Sequence, residues 1–387
     1  MLPRVTKRTH EEAGGLIVIS ETRLNKILKN WDQNNINLLR SPPASGKTTL
    51  AKVLTKSLES RGYVVKYITL AHWRKGEFPD LLSDNGSFDA FWRKEIQCTW
   101  SECANNPRPV YVLIDEAQVL YGGSGTLDFW NDVKFYTDHP KDGFYVLLLS
   151  MYEARNPRDI DSYRYTPIEF SNPMGLDELR LREDEFKELE RNFIAYIDKE
   201  EEALTIPDDI SESIYNATRG HPHLVRRTLG YLQRQFQRGF RGDDLRRSMI
   251  SYDYFLEIQR TRVFDWMTNW DPTPLETRFL QTAYDTLDDD STFAIDTGGD
   301  MLETLQRLTH SGLVTYSGSS RLQFAAPVVR IILGKRLYTS PLTLDPISGG
   351  FEDFLQNSIA RMRPSDLRKS LIYGINTRLY ERAWQKV

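Results

Sequence analysis

Between Asn35 and Glu59 the chain passes from an apolar strand-like run (Asn35–Arg40, NINLLR) into an amphipathic helical one (Gly46–Glu59), through Arg40-Ser-Pro-Pro-Ala-Ser-Gly-Lys-Thr-Thr49. A helix that opens there presents unpaired backbone N–H groups and the positive end of its dipole, and both favour an anion. The spacing is that of a P-loop. Gly46 would let the backbone approach a β-phosphate, Lys47 would reach the β- and γ-phosphates, and the Thr48 hydroxyl would ligand Mg²⁺. Ser41, Pro42, Pro43, Ala44, Ser45, Gly46, Lys47, Thr48 and Thr49 are therefore the expected contacts of ATP or another nucleoside triphosphate. The first glycine of G-x-x-x-x-G-K-[ST] is replaced by Ser41, so a positive φ is expected to cost more at the loop entry, with Pro42-Pro43 stiffening the turn.

A second strand-like run, Pro109–Asp115, is almost continuously apolar, as a central strand buried on both faces requires, and it ends in Asp115-Glu116. Two carboxylates after such a strand would be costly unless a cation or a water used them. Beside a P-loop, Asp115 would hold the Mg²⁺ shell and Glu116 would polarise the attacking water. Tyr63–Leu70 gives a strand between the P-loop helix and the Asp115 strand, as in the additional-strand class of ATPases. Phe144–Ser150 gives a further buried strand, whose last residue, Ser150, is placed against the γ-phosphate or the lytic water. Arg155, Arg158 and Arg164 follow, and nothing in the sequence chooses among them as a γ-phosphate contact.

The remaining composition narrows the setting. At 387 residues the chain exceeds one compact core, and a net charge of −4 excludes an overall electrostatic drive toward nucleic acid or anionic membrane. No apolar run is long enough to span a bilayer, and the N-terminal MLPRVTKRTHEEAGG lacks the apolar core of a signal peptide. The two cysteines, Cys98 and Cys103, fall on one predicted helix (Phe88–Ala104) and point to different faces, so the chain reads as intracellular and reduced, without disulfide or metal site.

After Asn172-Pro173 the pattern turns helical. Three amphipathic helices are expected between Arg182 and Arg241, separated by Ile206-Pro207 and by the turn at Gly220–Pro222. Gly220-His221-Pro222 is similar to the G-x-P turn that STAND-type and AAA+ ATPases place over the adenine, though proline also suits any first helical turn. On the next helix Val225, Leu229, Leu232, Phe236 and Phe240 form the apolar side, and Arg227, Arg234, Arg238 and Arg241 line the other. That stripe is either a solvated face or a contact to nucleic acid, nucleotide phosphate or a protein partner. Residues 251–338 then read as three helices, two strands (Leu313–Ser317 and Arg321–Ala326) and a closing helix, the order of a winged helix. Its third helix, Asp300–His310, carries Asp300, Glu303 and only Arg307, which disfavours DNA reading.

LLRSPPASGKTTLAKVL, YVLIDEAQVLY with FWNDVK, LLLSMYEAR and TRGHPHLV together closely resemble Crinkler proteins, the effector-type ATPases of oomycetes and fungi, from about residue 15 onward. The resemblance implies a P-loop NTPase core, a helical lid and a winged helix, and a secreted effector acting in a host cell, often its nucleus. Residues 346–387 resemble the opening helices of a restriction-endonuclease-like domain, with Glu381 matching its first acidic residue. The ubiquitin-like header of the family and a downstream metal-binding cluster are not expected within the chain. The expected organisation is thus an α/β core of the additional-strand class (1–175), a lid (176–248), a winged helix (249–345) and the tail. The expected function is Mg²⁺-dependent ATP hydrolysis driving a conformational switch. The alternative is a nucleotide-gated DNA- or protein-binding module with little hydrolysis, and oligomerisation is compatible with either.

Overall fold

Strand-length apolar runs set the frame. In the computed structural model, residues 19–71, 88–120, 127–151, 170, 173–197, 205–261, 263–264, 272–286, 293–294, 305, 308–309, 311–317 and 321–338 are described. Ile36–Arg40 (β1), Val64–Thr69 (β2), Val110–Asp115 (β3) and Phe144–Ser150 (β4) form one parallel sheet in the order β1-β4-β3-β2. β3 is buried at every position. The strand inserted between the P-loop strand and the Asp115 strand is β4, in register from Ile36↔Val146 to Arg40↔Ser150 and from Val110↔Phe144 to Asp115↔Leu149. β2, the candidate suggested by chain order, instead lies outside β3. Burial explains the exchange: β4 is apolar on both faces, whereas β2 is mostly half-buried and carries Lys66 and Thr69, as an edge position tolerates.

Alternate strand residues serve opposite faces. Leu39, Leu113 and Leu147 pack under Glu21–Gln33 (α1) and Lys47–Ser60 (α2). Val112, Ile114 and Val146 pack against Phe88–Ile96 (α3), Trp100–Ala104 (α4) and Leu127–Asp138 (α5). The sequence reading had no α1, although Leu24, Ile27, Leu28 and Trp31 recur at helical spacing behind the capping residue Ser20.

The predicted Phe88–Ala104 helix is in fact two. Gln97 takes a left-handed conformation (φ 63°), and Thr99 and Glu102 close a capping box that starts α4. Cys98 therefore sits in the break and not on a shared helix. Both thiols are free, and burial, with Cys98 as a hydrogen-bonded neighbour, pushes the Cys103 thiol well above its ordinary value.

Beyond the sheet come Glu183–Ile197 (α6), Asp208–Thr218 (α7), Pro222–Gln237 (α8), Asp243–Met249 (α9), Tyr252–Gln259 (α10) and Pro274–Thr286 (α11). Phe293–Ala294 (β5), Val314–Ser317 (β6) and Arg321–Phe324 (β7) form an antiparallel sheet in the order β5-β7-β6, followed by Pro327–Tyr338 (α12). β5 was unforeseen; two residues carry no readable alternation. One apolar cluster joins Phe186, Ile214 and Leu229 of the helices expected to form a lid to Leu280, Leu322 and Val329 of this last module. The helix placed at 300–310 is described only at Leu305, Leu308 and Thr309, while the 318–320 turn and the 346–387 tail lie outside the described residues. None of the described helices is long and apolar enough to cross a membrane.

Candidate nucleotide site

The P-loop joins the end of β1 to α2. Strain falls not on Ser41 but on Ala44 (φ 59°) and Gly46 (φ 102°), so the cost of a left-handed non-glycine residue, about 1–2 kcal/mol, is carried three positions later than the sequence suggested. Successive turns of that kind point backbone N–H groups into a concavity that suits an anion. Ser41 is buried in a hydroxyl pair instead: its Oγ lies 2.7 Å from Ser45 Oγ, which donates to the Pro42 carbonyl at 2.8 Å. Lys47 is buried and donates to the Ser41 and Pro42 carbonyls, both at 2.9 Å. Pro42 also meets the last module, since a Cβ on Gly312 would stand 3.0 Å from Pro42 Cβ. Ala44 packs on the cluster shared by the lid and that module. Thr49 lies one turn into the helix and faces a cavity described below.

The ends of β3 and β4 complete this wall. Thr48 Oγ1 donates to Asp115 Oδ2 at 2.7 Å, and the Tyr67 hydroxyl donates to the same oxygen at 3.2 Å. Burial, followed by the Asp115 charge, pushes the Tyr67 phenol well above its ordinary value. Glu116 is left-handed (φ 60°), and its backbone N–H donates to Asp115 Oδ1 at 3.0 Å. Gln118 donates to the Glu116 carboxylate and accepts from the Met151 backbone N–H at 3.1 Å, tying the end of β3 to that of β4. Ser150 is fully buried beside the loop entry, where its carbonyl accepts from Ser41 N–H, but its hydroxyl donates to the Met151 carbonyl at 2.8 Å. Arg155, Arg158 and Arg164 lie outside the described residues.

The facing wall comes from the lid. Pro222, the first residue of α8, stands against the P-loop: a Cβ on Gly46 would be 3.6 Å from Pro222 Cγ. Gly220 (φ 65°) permits that approach, because a Cβ there would lie 2.1 Å from the Leu181 carbonyl oxygen. Leu181 N–H donates back to the Gly220 carbonyl at 2.8 Å. His221 is fully buried with neither ring nitrogen hydrogen-bonded among the described residues. Burial first, then the charges of Arg180, His223 and Lys47, push its pKa down to about 3, so it is neutral at physiological pH. Between the walls lies an apolar cavity of about 110 Å³, bounded by Gly46, Thr49 and Leu50 below and by Leu181, Phe193 and Pro222 above.

No family model matches the chain, nor does any curated protein. Among solved structures, a Walker-type ATPase of Pyrococcus abyssi aligns at 15% identity over 82% of this chain and 96% of its own, with a TM-score of 0.44. AMPPCP-bound DnaA of Aquifex aeolicus aligns at 12% identity over 76% and 86%, with a TM-score of 0.39. A Thermotoga maritima RuvB variant aligns at 14% identity over 79% and 92%, with a TM-score of 0.34. Likenesses of this size lend the chain no function; the site rests on its own geometry.

That geometry includes residues the sequence did not single out. Tyr67 was legible only as a strand position opposite β3. Gln118 stood in the quoted LIDEAQ run without a role. Arg226, one turn after Pro222, lines the apolar cavity and is exposed. The arginine stripe, conversely, dissolves as a continuous track. Arg227 and Arg234 pair with Glu257 at 3.7 and 2.8 Å, and Arg241 packs its guanidinium 3.4 Å over the Phe236 ring. α8 ends at Gln237, so Arg238 caps it and Phe240 falls beyond it, 38% exposed; Val225, Leu229, Leu232 and Phe236 are buried as expected, together with Leu224, Thr228, Tyr231 and Gln235.

Proposed function

We propose that this chain binds a nucleoside triphosphate, ATP first among them, and hydrolyses it with Mg²⁺. The observation that carries the reading is Thr48 Oγ1 at 2.7 Å from Asp115 Oδ2, which joins two segments 67 residues apart at the mouth of the P-loop. Two hard oxygen donors suit Mg²⁺, which favours one or two protein oxygens completed by water and phosphate. Bound there, the ion would neutralise charge on the β- and γ-phosphates.

The protein's own part follows from position. The backbone N–H groups of 44–48 cradle the phosphates, since Pro42 and Pro43 have none and that of Ser41 is given to the Ser150 carbonyl, and Lys47 adds a charge-assisted contact. Glu116 orients the attacking water and takes its proton, with Gln118 holding the carboxylate in place. Ser150 supports the γ-phosphate side from β4. Pro222, with Gly220 and His221 setting its approach, offers a ring face to the base, and the apolar cavity excludes water around it. In the Crinkler reading, hydrolysis shifts the lid and a winged helix between two states of an effector-type protein.

The test is nucleotide affinity beside phosphate release, for wild type and Lys47→Ala. Wild type should bind ATP and release phosphate only with Mg²⁺, and Lys47→Ala should lose about 10²-fold or more in affinity. Equal ATP affinity in both proteins would end the P-loop assignment. Binding without release would favour the nucleotide-gated binding module instead.

A further inference from the structure

A second cavity, a cleft of about 910 Å³, shares Arg23 and Leu181 with the apolar one but has the opposite character. It lies between α1, the 174–182 segment, the end of α7 and β7. Arg23, Lys26, Lys29, Arg180, Arg182 and Arg219 line it, against two acidic residues, Asp177 and Glu178. In a chain of net charge −4 that is a marked local excess of cations.

Internal pairing accounts for only part of it. Arg23 is held by Glu185 at 2.6 Å, and Arg180 by Asp177 at 3.0 Å. Glu178 accepts from the Gly175 backbone N–H at 2.7 Å. Lys26, Lys29 and Arg182 make no ion pair among the described residues, and the Arg219 guanidinium donates to the Gln323 side-chain oxygen at 3.5 Å. Lys26 and Lys29 are helix neighbours three residues apart, an arrangement that repels unless an anion lies between.

We propose that this cleft binds single-stranded nucleic acid along its phosphate backbone. Lysines and arginine forks match phosphate oxygens. Asn30 and Gln33 on the same helix wall add amide donors and acceptors, and the half-buried Tyr215 ring offers a surface on which a base can stack. A duplex is convex and is normally read by an element that protrudes into its groove, whereas this surface is concave. An acidic peptide could use the cations and the amides but would carry no base to stack on the ring.

The experiment is fluorescence anisotropy of a labelled oligothymidylate, longer than the ~4–16 nucleotides that such a groove covers. The full chain without nucleotide is titrated between about 50 and 200 mM salt. Wild type should bind, with log affinity falling linearly against log salt. Lys26→Gln/Lys29→Gln should bind about tenfold or more weakly at the lowest salt, with a slope smaller by about 0.7 per lost phosphate contact. Arg182→Gln, on the 174–182 wall, should weaken binding in the same sense, and thermal melts should match wild type because all three side chains are exposed. Absence of binding by wild type, unchanged affinity and slope in both variants, tighter binding of an equal-length duplex, or tighter binding of polyglutamate would each overturn the proposal. None of these outcomes bears on the triphosphate site, which the probe does not occupy.

Discussion

The two walls of the proposed nucleotide site are built on different principles. On the sheet side the polar side chains hold one another: Ser41 with Ser45, Lys47 with two loop carbonyls, Thr48 and Tyr67 with Asp115, Glu116 with Gln118. On the lid side the surface against Gly46 is mostly apolar, and the buried ring of His221 has no hydrogen bond among the described residues. In the proposed site, chemistry would belong to the wall whose positions are fixed by strand register, and the facing wall would contribute shape. Within that wall the backbone crosses itself tightly, Gly220 over Leu181, and this sets where Pro222 stands.

Glu116→Gln tests the chemical wall and should have the largest effect. Nucleotide affinity should stay near wild type while single-turnover phosphate release falls about 10²–10⁴-fold, the usual worth of a general base. Retained turnover would move water activation elsewhere and erase the contrast between the walls.

Gly220→Ala tests the crossing. The substitution combines a left-handed φ with a Cβ 2.1 Å from the Leu181 carbonyl oxygen, so it should destabilise by more than about 2 kcal/mol, read as a lowered urea midpoint. A midpoint equal to wild type would mean that the backbone gives way at this crossing and that Gly220 is not required there.

His221 gives the smallest and most diagnostic signal. Its pKa is about 3 in the folded protein and near 6.5 when unfolded, so below pH 6.5 the unfolded chain takes up a proton that the folded chain refuses. Its contribution should be flat above about pH 6.5 and decline by up to ~1.4 kcal/mol per pH unit as pH falls toward 3. His221→Asn should remove that part of the slope in urea unfolding from about pH 7.5 to pH 5. Identical slopes in both proteins would show that His221 gains water or a partner in solution.

The sheet wall was largely legible in the sequence. Strand periodicity located β1, β3 and β4 to within a residue, and the positions of Lys47, Thr48 and Asp115-Glu116 follow from where those strands end. Local pattern failed where a break needed no glycine or proline, as at Gln97–Thr99, and where an amphipathic face hid a specific contact, as at Arg227 and Arg234 with Glu257. It also misplaced the loop strain, because which residue turns left-handed depends on how the whole loop closes.

What the sequence determined by itself is therefore the turn of 41–46 between β1 and α2, the acidic strand end and the alternation that builds a parallel sheet, since each is encoded within a few neighbouring residues. Only the tertiary structure decided that β4 and not β2 separates β1 from β3, that Pro222 stands on Gly46, and that Arg23, Arg182 and Arg219 join Lys26 and Lys29 around one cleft. Those facts join segments as far apart as Arg23 and Glu185, 162 positions along the chain, and are fixed by which buried surfaces pack together, a quantity that no local window of sequence contains.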